Sequence, residues 1–348
     1  MPEVRTVSVL PKIPQKNVCY HLLAENKDAF AYFERTDRNN GCLVRGIEQL
    51  TLRDAKIAII GLGGRGGFQS EIYVRLGIGN IRIADIGVFD SSNINRQWGA
   101  TKITVHMDKA LVTANCMRNI ADDYNLTVCP SGLNEETADS LITGCDVVID
   151  MIELWSLADR IWLHRTCAKH KVVVINCNSI VHASFGMRFD YKKVMSEEDL
   201  GGYETLLERY LGMTYERARY LQTAYEKGVI TRDEQSELME AVFSVFIPEE
   251  IEYMLDAKYS TCDAFRRRLM EEGKASVISV NPPFAAGFCA TEAYFEIISQ
   301  KSPIMRDVVR VSTFPEVMRI DLGKKTITTI KLPVRSPLCS PIKTQTFA

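Results

Sequence analysis

The sequence has no two cysteines at C-x-x-C spacing, although ten are scattered over its 348 residues. A structural zinc site needs four clustered ligands, so no zinc is expected. The thiols sit instead in apolar stretches such as TGCDVVID around Cys145, where a reduced cysteine behaves as a small hydrophobe. Also lacking is any apolar run of the roughly 20 residues that a membrane span requires. The N-terminus, MPEVRTVSVLPKIPQ, has no apolar stretch of signal-peptide length followed by a small-residue cleavage site. A cytoplasmic chain with no membrane partner is therefore expected. Charge of one sign is missing too. Lys and Arg number 42 against 44 Asp and Glu, a formal net charge of -2. No surplus of cations remains to displace counterions from nucleic acid, so no nucleic-acid partner is expected. The basic run Arg266, Arg267, Arg268 is followed by Glu271 and Glu272 at helical spacing, which reads as a solvated helix face.

What is present is an alternation of strand and helix signals. Residues 1–54 read as an N-terminal arm and helix. In 55–190, AKIAIIGLGG, NIRIADIG, LTVCPSG, CDVVIDMIE and KVVVINCNS are strand-like, and helix-period segments separate them. That rhythm predicts parallel βαβ units, hence an α/β fold with a Rossmann-like, doubly wound, mostly parallel sheet. Residues 191–280 read as a helical insertion rich in Glu, Arg, Tyr and Leu. In 281–332, NPPFAAGFCATEAYFEIIS reads as a returning helix, followed by two antiparallel strands, RDVVRVSTFPEVMRIDL and KKTITTIKL, around Gly323. The tail 333–348 carries three prolines and reads as extended or disordered.

Chemistry concentrates after the first of the 55–190 strands. Gly61, Gly63, Gly64 and Gly66 lie in GLGGRGG between strand and helix, where glycine lets backbone N–H groups approach a phosphate at a helix N-terminus. Any nucleotide or dinucleotide would fit that loop, and so would a tight structural turn. Asp85 ends the next strand, where an acidic residue meets a ribose hydroxyl; a turn-capping role near Gly87 is the other reading. The stretch Asn93-Ile94-Asn95-Arg96-Gln97 separates nucleotide classes. Amides and a guanidinium can grip a triphosphate, and a nicotinamide enzyme has no evident need of them. Lys109 opens the following helix and could reach a phosphate as a point charge.

These residues resemble the E1/ThiF/MoeB superfamily of ATP-dependent activating enzymes, in which a GxGGxG loop, a strand-end Asp, an S-N-x-x-R-Q segment, a Lys and a catalytic Asp occur in that order. Asp85 stands 11 residues before Arg96, Lys109 13 after it and Glu153 57 after it. The resemblance covers residues 30–190, with an echo at NPPFAAGFCATEAYFE. It implies that the glycines and Asp85 hold ATP, with Asn95 and Gln97 in the same cluster, and that Asn93, Arg96 and Lys109 meet its phosphates. It further implies that Glu153 stands where the family usually has Asp to organise Mg²⁺. Glutamate is one methylene longer, so Asp150 could share the metal; a buried strand-end carboxylate satisfied by backbone N–H groups is the other reading of Asp150. Arg38, with Arg35 as fallback, matches an arginine that crosses a homodimer to the partner's ATP. The implied activity is adenylation of the carboxylate of a peptide or small protein.

Some features depart from the family pattern. Gly87 stands where a second Asp is common, and the zinc cysteines are absent, which suggests a divergent zinc-less branch. Cys177 is the only candidate for a thioester, yet INCNS contains no cation to activate it. Branches of this kind, such as the pantocin-type peptide-modifying enzymes, act on glutamate side chains of precursor peptides in peptide natural-product (RiPP, antibiotic) biosynthesis. Three alternatives stay open: activation of a ubiquitin-like or sulfur-carrier C-terminus, NAD-dependent oxidoreduction, and a non-catalytic nucleotide-binding partner.

Overall fold

A computed structural model of the chain describes residues 2–39, 45–180, 182–193, 195–244, 277–309 and 311–332. Its sheet begins where an arm was expected. Glu3–Thr6 (β1) and Val18–Leu22 (β2) are strands, β1 parallel to β2 and β2 antiparallel to a later strand. The 1–54 expectation is corrected accordingly: two strands precede two helices, Ala29–Thr36 (α1) and Gly46–Asp54 (α2). Strands of four and five residues are too short to show a period, and it is burial that fixes β2: Val18, Tyr20 and Leu22 enter one core while Cys19 faces another.

The central units follow the expected alternation. They are Lys56–Ile60 (β3), Gly64–Leu76 (α3), Asn80–Ala84 (β4), Lys109–Arg118 (α4) and Asn125–Cys129 (β5), then Ala138–Ile142 (α5), Val147–Asp150 (β6), Leu157–His170 (α6) and Val173–Ile180 (β7). Pairing is parallel from β5 through β4, β3 and β6 to β7. The central runs of β3 and β6 are buried on both faces, as a parallel sheet requires. Helices α3 and α4 supply one core and α5 and α6 the other, so the winding reverses between β3 and β6. A crevice at the carboxyl ends of those two strands is where such sheets bind ligands.

Beyond β7, a hairpin leads into Ala183–Asp190 (β8), and antiparallel strands Glu316–Asp321 (β9) and Thr326–Lys331 (β10) complete the ten-stranded order β1-β2-β5-β4-β3-β6-β7-β8-β9-β10. Among the described residues the insertion holds four helices: Glu197–Leu200 (α7), Leu206–Leu211 (α8), Tyr215–Glu226 (α9) and Arg232–Phe243 (α10). The rest of the expected insertion up to residue 276, and the tail 333–348, lie outside the described residues. Asn281–Lys301 (α11) returns to pack on α3 and β7. The strand expected from Arg306 is corrected: Pro303–Val308 is a helix (α12), started by Pro303 and by Ser302 Oγ accepting from the Met305 N–H, so pairing begins only at Glu316. Among the described residues no helix is long and apolar enough to cross a membrane.

Candidate functional site

The glycine loop closes the turn from β3 into α3. Gly61 has φ +98°, and a Cβ there would overlap the Met151 carbonyl where the chain leaves β6. A Cβ on Gly66 would overlap the Gly61 carbonyl. These two glycines let α3 start directly against the β6 exit. Gly63 is different. It caps α3 without a side chain, and the nearest atom to a Cβ there is Gln97 Nε2 at 4.0 Å. The space beside Gly63 is thus open at the N-terminus of α3, where the positive end of the helix dipole lies, while Pro282 lies 3.1 Å from a Cβ built on Gly64.

Asp85 follows β4 and is tied to that loop. Its Oδ2 accepts from the Leu62 N–H at 2.6 Å and its Oδ1 from the Gly87 N–H at 2.7 Å. The turn-capping role is therefore real, and each oxygen retains a lone pair for a further donor. Lys109, the first residue of α4, folds back over the same turn. A Cβ on Gly87 would sit 3.4 Å from Lys109 Cδ and Cε, and Lys109 Nζ lies 5.8 Å from the centre of the Phe89 ring.

The Asn93–Gln97 segment lies against the glycine loop. Cβ atoms on Gly64 and Gly67 would come within 3.4 Å of the Arg96 carbonyl and 3.3 Å of Trp98, respectively. Arg96 Nη1 donates to the Ser92 carbonyl at 2.7 Å and to Asn95 Oδ1 at 3.1 Å, both neutral acceptors. Asn93 is buried and braces its own turn: its Oδ1 accepts from the Asp90 N–H at 3.4 Å, and its carbonyl accepts from Arg96 and Gln97. Asn95 is exposed, and Gln97 Oε1 is buried with no hydrogen-bond partner among the described residues.

The loop after β6 separates the two acids expected near a metal. Glu153 is exposed beside the glycine loop, two residues past Met151. Asp150 is wholly buried: Oδ2 accepts from Arg160 Nε at 2.8 Å, Oδ1 from the Ile152 N–H at 3.0 Å, and Asn176 Nδ2 lies 3.2 Å from Oδ2. Burial alone would raise its pKa, but the Arg160 charge and His164 outweigh that and hold it at about 2. Asp150 is thereby corrected from metal ligand to anchor of a buried ion pair. Among the described residues no cluster of three or more His, Cys, Asp or Glu could hold a metal.

Three further expectations find their places. Arg38 is exposed in a 3-10 turn, Asp37–Asn39, far from this crevice. Arg35, the fallback, is corrected: its guanidinium binds both Asp123 oxygens at 2.9 Å and the Val74 carbonyl at 2.8 Å. Cys177 is buried, burial and the neighbouring Cys289 push its thiol pKa well up, and a nucleophile needs the reverse. Arg65 was missed. It leaves the glycine loop and donates to the Cys177 carbonyl and, at 2.7 Å, to Asn178 Oδ1 at the end of β7. A cation inside GLGGRGG was the available signal.

Comparison with known proteins bears on the family of the chain. The chain is 28% identical over 140 residues to the tRNA threonylcarbamoyladenosine dehydratase of Bacillus subtilis, covering 40% of this chain and 54% of that protein. It is 26% identical over 141 residues to the molybdopterin-synthase adenylyltransferase of Salmonella typhimurium, 40% and 56% of the two chains. The chain thus spans about half the length of these curated relatives. Escherichia coli MccB, solved with AMPCPP and MccA, shares the fold at a TM-score of 0.55 and 15% identity, over 92% of this chain and 76% of that one. The ThiF family pattern matches residues 36–340. This chain belongs to the ThiF family.

Proposed function

We propose that the chain binds ATP with Mg²⁺ in the crevice between β3 and β6 and adenylates a carboxylate of a peptide or small protein. The observation that carries this reading is the packing of the Arg96–Trp98 backbone directly on Gly64 and Gly67, with Lys109 folded over the Asp85 turn. In this reading Arg96, Lys109 and the N-terminus of α3 bring positive charge to one space, and among the described residues the Arg96 guanidinium is held by neutral acceptors. A triphosphate supplies the missing negative charge. Asp85 is the natural acceptor for ribose hydroxyls, and Asn93 serves by bracing the loop that carries Arg96. Adenylyltransferases among the relatives agree in reaction class.

The donor set fits a magnesium ion that arrives with nucleotide. Such an ion takes most ligands from phosphate and water and needs few from protein, and Glu153 offers one uncommitted carboxylate. Bound there, the metal would neutralise charge on the departing pyrophosphate. The chain's own part is to hold the α-phosphate against the α3 N-terminus and to balance developing charge with Arg96 and Lys109. Arg38 would add a third cation only from a second copy of the chain, as a homodimer requires.

The substrate reading we favour is a precursor-peptide glutamate side chain, in line with the MccA-bound neighbour's fold; a carrier-protein C-terminus is the alternative. Exchange of labelled pyrophosphate into ATP, with candidate peptides and carriers, tests the activity. R96A and K109A are expected to lose about a hundredfold to a thousandfold. Unchanged exchange in both variants would end the adenylation reading, and NADH binding indifferent to K109A would favour oxidoreduction instead.

A further inference from the structure

Arg65 holds a charge that no carboxylate among the described residues binds directly. Only its Nη1 is engaged, by the Cys177 carbonyl and Asn178 Oδ1, both neutral. The Nε–Nη2 edge, the side of the fork that grips a carboxylate in bidentate fashion, has no partner among the described residues. Among the groups that act most strongly on Arg65, the one carboxylate is Asp150, which Arg160 already binds. Arg160 itself opposes the Arg65 charge. Glu292 on α11 also acts on Cys177, but burial pushes its pKa up to about 7, so near neutrality it supplies only part of a charge. Two guanidinium groups thus share one fully ionised acid, and a partly buried cation without a counter-ion calls for an anion.

Placement decides which anion. Arg65 follows Gly64 in the phosphate-facing loop, and its head lies at the end of β7, across β6 from the glycine turn. It is therefore on the side of the crevice away from Asp85, which would hold the ribose. We propose that Arg65 receives the substrate carboxylate and orients it toward the α-phosphorus, an inference that rests on the adenylation reading above. One carboxylate oxygen forms the new O–P bond while the bond from the α-phosphorus to the bridging oxygen breaks, and pyrophosphate leaves with that electron pair. The second carboxylate oxygen stays on Arg65 as the carbonyl oxygen of the acyl-adenylate. Arg65 remains protonated throughout. Asn178 and the Cys177 carbonyl are the groups that position it.

Stable analogues test this without knowledge of the peptide. Affinities would be measured for ATP, for 5′-O-sulfamoyladenosine and for its N-acetyl derivative, which mimics an acyl-adenylate. Wild type is expected to bind the acetylated compound more tightly than the bare one. R65Q should lose about tenfold or more of that preference while its ATP affinity stays within about twofold. R65K, which keeps charge without the fork, should fall between, and melting curves of both variants check that they fold. A preference that survives in R65Q, or ATP binding that falls in step with it, overturns the assignment. Wild type that binds ATP but shows no preference for the acetylated compound also overturns it. Wild type that binds no adenosine compound sinks the adenylation reading itself.

Discussion

Two buried carboxyls, Asp150 at the end of β6 and Glu292 on α11, show how one functional group takes opposite roles. Asp150 is held at about 2 because Arg160 and His164 outweigh its burial, whereas for Glu292 burial wins and the pKa rises to about 7. A depressed acid stabilises the fold above its unfolded pKa and loses that contribution as pH falls through the folded value. A raised acid does the reverse. Glu292 contributes fully below its unfolded value of 4.5, and its contribution is lost as pH rises through about 7. Denaturation of the wild type between pH 5 and 8 should therefore reveal a decline of about 2.5 kcal/mol that E292Q, neutral at every pH, lacks. Parallel curves for the two proteins would show that Glu292 ionises without penalty. Neither residue's state was legible in the sequence. Asp150 in DVVIDMIE read as able to share a metal with Glu153, because its partner Arg160 lies on the next helix and nothing in the local pattern links them.

At the scale of elements, the strand-turn-helix unit was readable, since glycine has few substitutes where a turn must be this tight. The structure divides the glycines by task, and the sequence could not. Gly66 has no room for a methyl group against the Gly61 carbonyl, whereas Gly63 faces the open space over α3. G66A is expected to destabilise the protein by about 2 kcal/mol or more, because backbone must move. G63A should fold with a melting temperature near wild type and yet weaken ATP binding, since a methyl group there intrudes on the phosphate approach. Thermal melting and nucleotide titration of the two variants check the contrast; equal stability loss in both would remove the distinction. The short elements were the illegible ones. β1 and β2 are recognised only through partners, β2 by pairing with β5 more than a hundred residues later, and α12 is set by the Ser302-Pro303 start rather than by the alternating residues that follow.

For the whole molecule, the open question is where Arg38 acts. Its turn packs at the far end of α3: Asn39 Nδ2 reaches the Leu76 carbonyl at 3.3 Å, and Tyr32 in the preceding helix donates to the Gly77 carbonyl at 2.8 Å. The glycine loop lies at the other end of the same helix, thirteen residues away. A helix of that length is about 20 Å long, farther than an arginine side chain extends, so Arg38 does not reach the nucleotide of its own chain. If it serves a nucleotide at all, that nucleotide belongs to another copy. An isologous dimer makes this testable, because each site then combines Lys109 from one subunit with Arg38 from its partner. R38A and K109A should each be inactive as homodimers. Mixed in equal amounts and allowed to exchange subunits, half of the dimers are hybrids and each hybrid holds one intact site, so exchange activity should return to about a quarter of wild type. An R38A protein with full activity, or a mixture that recovers nothing although hybrids have formed, would remove Arg38 from the site and leave Arg96, Lys109 and the α3 N-terminus to balance the phosphates within one chain.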